Sequence, residues 1–364
     1  MTSPTQTRLA SLKTLMKAEA IDLIALGPTA HMQWLLGFHP HADERPCLLL
    51  LTQESEAFLM PALNAEGSKA HSQIPFYTWS DEFGPESALK AALTDLKMLA
   101  AQCLILDETM RADFALLLLD HLPQAKHAFT QRNLGRLRMS KDETEYKALK
   151  MNAAIADRVM QQAFKALKVG MSELELAAIV QDSFKSQGAK PMFAIIGRGP
   201  NGAYPHHQTG QDTLQEGDVV VIDIGGSKEA YPSDITRVAV VGKAPEEYQH
   251  VHDTVNRAVE AALAVIKPGV RAKDIDSAAR QVISQAGYGP YFVHRTGHGL
   301  GLEIHEPPYI TSTSDLIIEA GMVFSVEPGI YLPGRFGVRL EEIVIVRQTG
   351  PEILSDLSRE AHWV

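Results

Sequence analysis

Short apolar runs, Leu23–Leu26, residues 47–51 and Cys103–Leu106 among them, alternate from Thr7 to about Asn133 with stretches whose apolar residues recur at helical spacing. Runs of four or five apolar residues between polar segments predict buried strands, and the 3.6-residue spacing predicts helices. Leu9, Leu12, Leu15 and Met16 mark one such helical face near the start of the chain. This alternation predicts a small α/β domain. A basic, polar stretch over residues 131–140, containing Gly135, then interrupts the pattern, and residues 141–167 read as one long helix. The domain boundary is expected there, giving residues 1–135 and 136–364.

The second segment repeats itself. Leu167-Lys168-Val169-Gly170 and Ile266-Lys267-Pro268-Gly269 each open a helical stretch, and these stretches stop at Gly188 and Gly287, an offset of 99 residues in both cases. A glycine at a helix end supplies the positive φ that a C-cap requires. The same offset carries His206 onto His305. Further on, Gly217, Asp223 and Gly225 are spaced as Gly321, Glu327 and Gly329 are, which pairs Asp223 with Glu327. Asp234, opening the β-rich run 235–241, corresponds to Glu341 in the β-rich run 338–346. A strand and helix pair cannot bury its apolar face alone, so two such halves should associate about a pseudo-twofold axis with their carboxylates converging. The expected fold class is α+β, with a repeated C-terminal domain behind a smaller α/β domain.

Composition narrows the range of functions. At 364 residues, 45% hydrophobic and 21% charged, the chain is long enough for two globular domains. A net charge of −10, with no cluster of Lys and Arg among aromatics, argues against nucleic acid or an anionic membrane as partner. The apolar runs fall far short of the roughly 20 residues that span a bilayer, and the first 26 residues lack the core of a signal peptide. Cys47 and Cys103, the only cysteines, are far apart, which suggests neither a disulfide framework nor a thiolate metal site and fits a reducing cytoplasm.

Asp223 ends an apolar strand, where a bare carboxylate is costly unless it is paired, protonated or bound to a cation. Taken singly, each of these acids reads equally as a cap or a salt-bridge partner. Taken together, Asp223, Asp234, Glu327 and Glu341 with His298 carry a formal charge of −4, which two divalent cations would neutralise. Oxygen-rich ligands with one imidazole suit Mn²⁺, Co²⁺ or Zn²⁺. The spacing of His294 and His298 matches a helical metal pair, but Gly297, Gly299 and Gly301 oppose a helix there.

Ser233-Asp234-Ile235-Thr236-Arg237, the run from His294 to Gly301, His305-Glu306, Val326-Glu327-Pro328-Gly329 and Val338-Arg339-Leu340-Glu341 together resemble the family of prolidase, aminopeptidase P, methionine aminopeptidase and creatinase. The resemblance spans roughly residues 138–350. It implies a "pita-bread" catalytic domain, and Trp34-Leu35-Leu36-Gly37-Phe38 is similar to the leading domain of the prolidase and creatinase type. All five ligand positions are filled, which argues against a metal-free, creatinase-like reaction or a ligand-depleted binding protein.

By this resemblance Asp223 and Glu341 would bridge two metal ions, manganese foremost, with Asp234 completing one and His298 and Glu327 the other. Two cations some 3.5 to 4 Å apart would activate a bridging water and polarise the scissile carbonyl. Glu327 is the expected proton shuttle, and His206 and His305 are expected to flank the peptide and stabilise the tetrahedral intermediate. His294 is a candidate substrate contact. Arg339, two residues before Glu341, is expected to orient that carboxylate, a structural salt bridge being the alternative. Dipeptidases of this family often carry a basic residue shortly after the His-Glu pair, where this chain has Pro307-Pro308-Tyr309. Arg335 is the candidate replacement, or else a solvated loop residue. The expected activity is Xaa-Pro dipeptidase, with Xaa-Pro aminopeptidase, a non-peptide amidase or lyase, and a noncatalytic module as alternatives. The resemblance also implies a homodimer.

Overall fold

The computed structural model describes residues 4–364, which divide into two compact units between Arg138 and Met139. Residues 1–3 lie outside the described residues. The division falls inside the short helix Leu134–Met139, just beyond the expected 135/136.

In the first unit the helix Pro4–Ala18 buries Leu12 and Met16, two of the four residues on its expected apolar face. The strands β1 (Leu23–Leu26), β2 (Leu48–Leu51), β3 (Glu56–Pro61), β4 (Phe76–Trp79), β5 (Cys103–Leu106) and β6 (Lys126–Phe129) form one mixed sheet in the order β4-β3-β2-β1-β5-β6. β1 and β2 are buried along their whole length, which is why they read as unbroken apolar runs. Alternate residues Leu23, Ala25, Leu48, Leu50, Leu104 and Leu106 meet Leu89 and Leu93 of the helix Glu86–Asp95 and Phe114 and Leu118 of the helix Ala112–His121.

The second unit shows the repeat in its backbone. Its helices Glu173–Ser186 and Ala272–Gln285 have the same length and are offset by 99 residues. Leu176, Val180 and Phe184 of the first are buried, and so are their counterparts Ile275, Ala279 and Ile283. The turns before the two helices match as well. Gly170 (φ 82°) donates to the Leu214 carbonyl and Gly269 (φ 95°) to the Ile318 carbonyl, both at 2.8 Å. A capping box of Ser172 and Glu175 starts the first helix, and another, of Asp142 and Glu145, starts the long helix Glu143–Ala166. The helix Tyr248–Val265 is the partner of the latter in the second half.

The strands of this unit are β7 (Lys190–Arg198), β8 (Val219–Lys228), β9 (Tyr231–Pro232), β10 (Ile235–Val240), β11 (Gly297–Gly299), β12 (Glu306–Ile310), β13 (Val323–Val326), β14 (Gly329–Leu332), β15 (Phe336–Arg339), β16 (Glu342–Arg347), β17 (Gly350–Ile353) and β18 (His362–Trp363). One sheet runs β18-β10-β8-β7 and the other β12-β11-β13-β16-β17, so β10-β8-β7 in the first corresponds to β16-β13-β11 in the second. Along β8, Val220, Ile222 and Ile224 pack on the helices of the first half. The two-residue period turns Asp223 to the opposite face, shared with Val219 and Val221.

The structure breaks the β-rich run 338–346 at Leu340-Glu341, between β15 and β16. Glu341 therefore precedes its strand just as Asp234 precedes β10, which completes the correspondence between halves.

In the first unit, Arg138 Nη1 donates to His31 Nδ1 at 3.0 Å, so His31 Nε2 carries the proton and donates to Thr130 Oγ1 at 2.9 Å. Thr130 in turn donates to Glu108. Burial pushes the Glu108 carboxyl up, but its contacts with His31 and Thr130 outweigh that and hold its pKa at about 2. A depressed carboxylate contributes stability above its ordinary pKa and loses it as pH falls towards the folded value. Glu108→Gln should therefore cost about 1 kcal/mol at pH 7, allowing for solvent screening, or about 2–4 °C in thermal unfolding. The gap from wild type should close between pH 4.5 and about 2.

Candidate metal centre

Asp223 is fixed on both sides within its sheet, opposite Ile195 of β7 and Thr236 of β10. Asp234 lies after the tight return from β8 to β9, where Ser233 and Gly226 exchange hydrogen bonds. A Cβ at Gly226 would lie 2.4 Å from the Phe184 ring, so the close approach of helix and hairpin requires glycine.

His298 is the middle residue of β11. Its two neighbours are glycines because the strand is squeezed: a Cβ at Gly297 would fall on the Ser325 carbonyl oxygen, and one at Gly299 within 2.3 Å of the Pro307 carbonyl oxygen. The His298 Nδ1 faces the Gly299 carbonyl at 3.2 Å, which can only accept, so Nδ1 carries the proton. That points Nε2 at the carboxylates, 3.2 Å from Glu327 Oε1 and 3.7 Å from Asp234 Oδ2.

Glu327 follows β13 and is held by its backbone N–H to the Thr296 carbonyl (2.8 Å) and by Ser325 Oγ, which donates to Oε1 (3.0 Å). Glu341 is held across the two halves: its Oε2 accepts from Thr236 Oγ1 at 2.8 Å, and its backbone N–H reaches the Thr236 carbonyl at 3.3 Å. One ligand atom from each of Asp234, His298 and Glu341 lies within 4.8 Å of the others.

Four carboxylates face a single bonded guanidinium. Arg339 Nη2 donates to Asp223 Oδ2 at 2.6 Å, Nε to Thr236 Oγ1 at 3.1 Å and Nη1 to Tyr331 Oη at 2.8 Å. These five groups leave a formal charge of −3 in a buried site. Burial, then repulsion from neighbouring carboxylates, raises the Asp234 and Glu341 carboxyls well above their ordinary range. Asp223 is also raised, by burial, although Arg339 opposes this. Glu327 goes the other way: burial is outweighed by His298, and its pKa falls to about 2.

The fit to a cation rests on two oxygens. Asp223 Oδ1 and Glu341 Oε1 are buried with no hydrogen-bond partner, and unsatisfied anionic lone pairs facing one another's carboxylates are costly unless a cation takes them. A second cluster, His31, Asp107 and Glu108 in the first unit, has the residue types of a metal site. There both Asp107 oxygens are taken by Gly27, Thr29 and Thr109, so the cluster reads as a hydrogen-bonded tie within that unit.

A cavity of about 480 Å³ opens onto the cage, lined by Asp223, Asp234, His298, Glu327 and Glu341, and also by His206, His294, His305, Arg295 and Arg339. The pseudo-equivalent His206 and His305 thus share one cavity, and the His305 ring lies 4.1 Å from that of His298, centroid to centroid. Burial, with His298 and Arg295 adding to it, lowers His305 to about 4. His294 is also in the wall, but both its nitrogens are engaged: Nδ1 faces the Arg295 carbonyl at 2.7 Å and Nε2 the Tyr331 hydroxyl at 2.8 Å. The carbonyl must accept, so Nδ1 is protonated, and Tyr331, already accepting from Arg339, donates to His294 Nε2. Burial lowers the pKa of His294, in keeping with a neutral ring.

Two expectations need correction. Arg339 does not bond Glu341; it bonds Asp223 and reaches Glu341 only through Thr236, because the strand break at Leu340-Glu341 voids the argument from shared strand face. Arg335 does not line the cavity; its half-exposed guanidinium is paired with Glu247. Thr236, Tyr331 and Arg295 were missed. Thr236 stood visibly two residues from Asp234, but nothing in the spacing marks Tyr331, which depends on the hairpin of β14 with β15.

Tyr331→Phe should release His294 without opening a void. The expected result is a roughly tenfold fall in kcat/KM with an unchanged circular dichroism spectrum. An unaltered kcat/KM would mean that the Arg339–Tyr331–His294 chain serves stability alone.

Comparison with known proteins follows the same outline. Residues 147–348 match metallopeptidase family M24, and residues 8–140 match the creatinase/prolidase N-terminal domain. The chain is 37% identical over 344 residues to a probable dipeptidase PepE of Mycobacterium tuberculosis, covering 93% of this chain and 90% of that one. It is 33% identical to an Xaa-Pro dipeptidase of Pyrococcus horikoshii over 95% of both chains. The crystal structure of a prolidase from Thermococcus sibiricus superposes with a TM-score of 0.93 at 33% identity over the full length of both.

Proposed function

The chain belongs to metallopeptidase family M24, and from that membership and the geometry of its acidic cavity we propose that it is a two-metal Xaa-Pro dipeptidase. The observation that carries this reading is the pair of buried, unpartnered oxygens, Asp223 Oδ1 and Glu341 Oε1, inside a cage completed by Asp234, His298 and Glu327. Names borne by full-length relatives, Xaa-Pro dipeptidase and prolidase, support the substrate class.

In this reading Asp223 and Glu341 would each hold both ions, Asp234 would complete one, and His298 and Glu327 the other. Divalent cations bound there would supply a water acidic enough to attack near neutral pH and would polarise the scissile carbonyl. The rest is work for side chains. Glu327 takes the proton of the attacking water and returns it to the departing proline nitrogen. His305 and His206, on the same cavity wall, steady the peptide and the oxyanion that forms on its carbonyl. Arg339 keeps Asp223 in place, leaving one of its oxygens free for a cation.

Manganese is the proposed ion on the family likeness, and an oxygen-rich set with a single imidazole would take Co²⁺ or Zn²⁺ as well. A homodimer is proposed from the family likeness. A cytoplasmic setting is supported by two unpaired cysteines, Cys47 with its thiol pushed up to about 12 by burial. No helix among the described residues is long and apolar enough to cross a membrane.

The Mn²⁺-loaded protein should hydrolyse Ala-Pro and leave Ala-Pro-Ala nearly untouched. Cleavage of the tripeptide alone would instead make it an Xaa-Pro aminopeptidase, and no cleavage of any Xaa-Pro peptide would favour a non-peptide substrate. Asp234→Asn should lower bound metal, measured by atomic absorption, and reduce Ala-Pro turnover by about a hundredfold or more.

A further inference from the structure

Glu173 opens the helix Glu173–Ser186, a position where a glutamate ordinarily stands in solvent and complements the free N–H groups of the first turn. Here the side chain is turned inward and completely buried. A carboxylate taken out of water is costly unless donors fill its lone pairs, and those of Glu173 are filled. Oε1 accepts from the Arg198 backbone N–H and from Asn201 Nδ2, both at 2.9 Å. Oε2 accepts from His207 Nε2 at 2.8 Å and from the Gly210 backbone N–H at 2.9 Å.

All four donors belong to one segment, residues 198–210, which leaves β7 and brings His206 to the cavity wall. The start of the helix adds to the grip, since the Glu173 N–H donates to the Asp212 carbonyl and the Leu174 N–H to the Gly210 carbonyl, both at 3.0 Å. The His206 imidazole makes no hydrogen bond with any described residue, so it is aimed by its backbone and not by a partner. Both of its neighbours are held. Arg339 Nη1 donates to the Pro205 carbonyl at 3.3 Å, which ties one side of His206 to the guanidinium that bonds Asp223. On the other side the His207 N–H donates to the Tyr204 carbonyl at 3.1 Å and its ring is fixed by Glu173. The carboxylate accepts, so His207 carries its proton on Nε2. The residue 99 positions after Glu173 is Ala272, so the repeated scaffold does not itself require a buried acid here.

We infer that Glu173, acting through His207, positions His206 against the oxyanion of the tetrahedral intermediate, and that the pair governs turnover and not substrate affinity. This rests on reading the site as a peptidase. Neither Glu173 nor His207 lines the cavity, so their effect on the reaction passes through His206.

The test is a double-mutant cycle on the metal-loaded protein with Ala-Pro as substrate. His206→Ala should lower kcat about a hundredfold, the scale of a lost oxyanion donor. Glu173→Gln turns one acceptor into a donor and His207→Phe removes the donor; each should lower kcat about tenfold with KM little changed. His207→Gln, whose amide nitrogen can stand in for Nε2, should recover part of the loss. In the His206→Ala background His207→Phe should have no further effect. An equal loss with and without His206, or a loss confined to KM, overturns the inference. The ring resonances of His206 in the metal-depleted protein, identified by NMR from their disappearance in His206→Ala, give a readout independent of turnover. One set is expected in the wild type, and it should broaden or split in Glu173→Gln; an unchanged set overturns the inference. A wild type that cleaves no Xaa-Pro peptide, while the His206 resonances still respond to Glu173→Gln, would sink the peptidase reading and leave the positioning of His206 standing.

Discussion

Four carboxylates buried around one histidine are the constraint on which the rest of the second unit depends. Such a cluster is unstable by itself. Burial and mutual repulsion push Asp234 and Glu341 well above the range of ordinary carboxyls, and a lone guanidinium, Arg339, offsets only part of the charge. The fold accepts that cost in one place because each half contributes two acids, on or beside corresponding strands. Thr236 of one half and Glu341 of the other are joined by two hydrogen bonds, so bringing the halves together and assembling the cage are one event. Cations then do for the charge what packing cannot.

The asymmetry between the halves is as informative as their likeness. His298 sits on a strand narrowed by Gly297 and Gly299, and the first half has no counterpart to it, which would make the two proposed cation positions inequivalent. His206 and His305 keep the symmetry and face the same cavity. A repeated scaffold has thus kept its acids symmetric and placed the imidazole of its cage on one side.

Much of this was legible in the sequence because it is periodic. The offset of 99 residues fixed two helices of equal length, and glycines at their ends appear at the positive φ the pattern called for. Apolar runs fixed β1 and β5 to the residue. What escaped was set by contacts between distant segments. The break at Leu340-Glu341 leaves no trace in a continuous run of β-forming residues, and it misdirected the role of Arg339. Tyr331 and Arg295 owe their positions to pairings of β14 with β15 and of β11 with β12, which hydropathy does not encode. Arg335 and Arg295 look alike along the chain, and only the fold shows that Glu247 has claimed the first.

The account turns on whether the acid cage is held together by cations. Titration of the metal-depleted protein with Mn²⁺ by calorimetry, repeated in buffers of different ionisation enthalpy, measures both stoichiometry and proton exchange. Two ions per chain, with net release of protons from the raised carboxyls, is the predicted result. Binding of less than one ion per chain, or binding with no proton released, would contradict it.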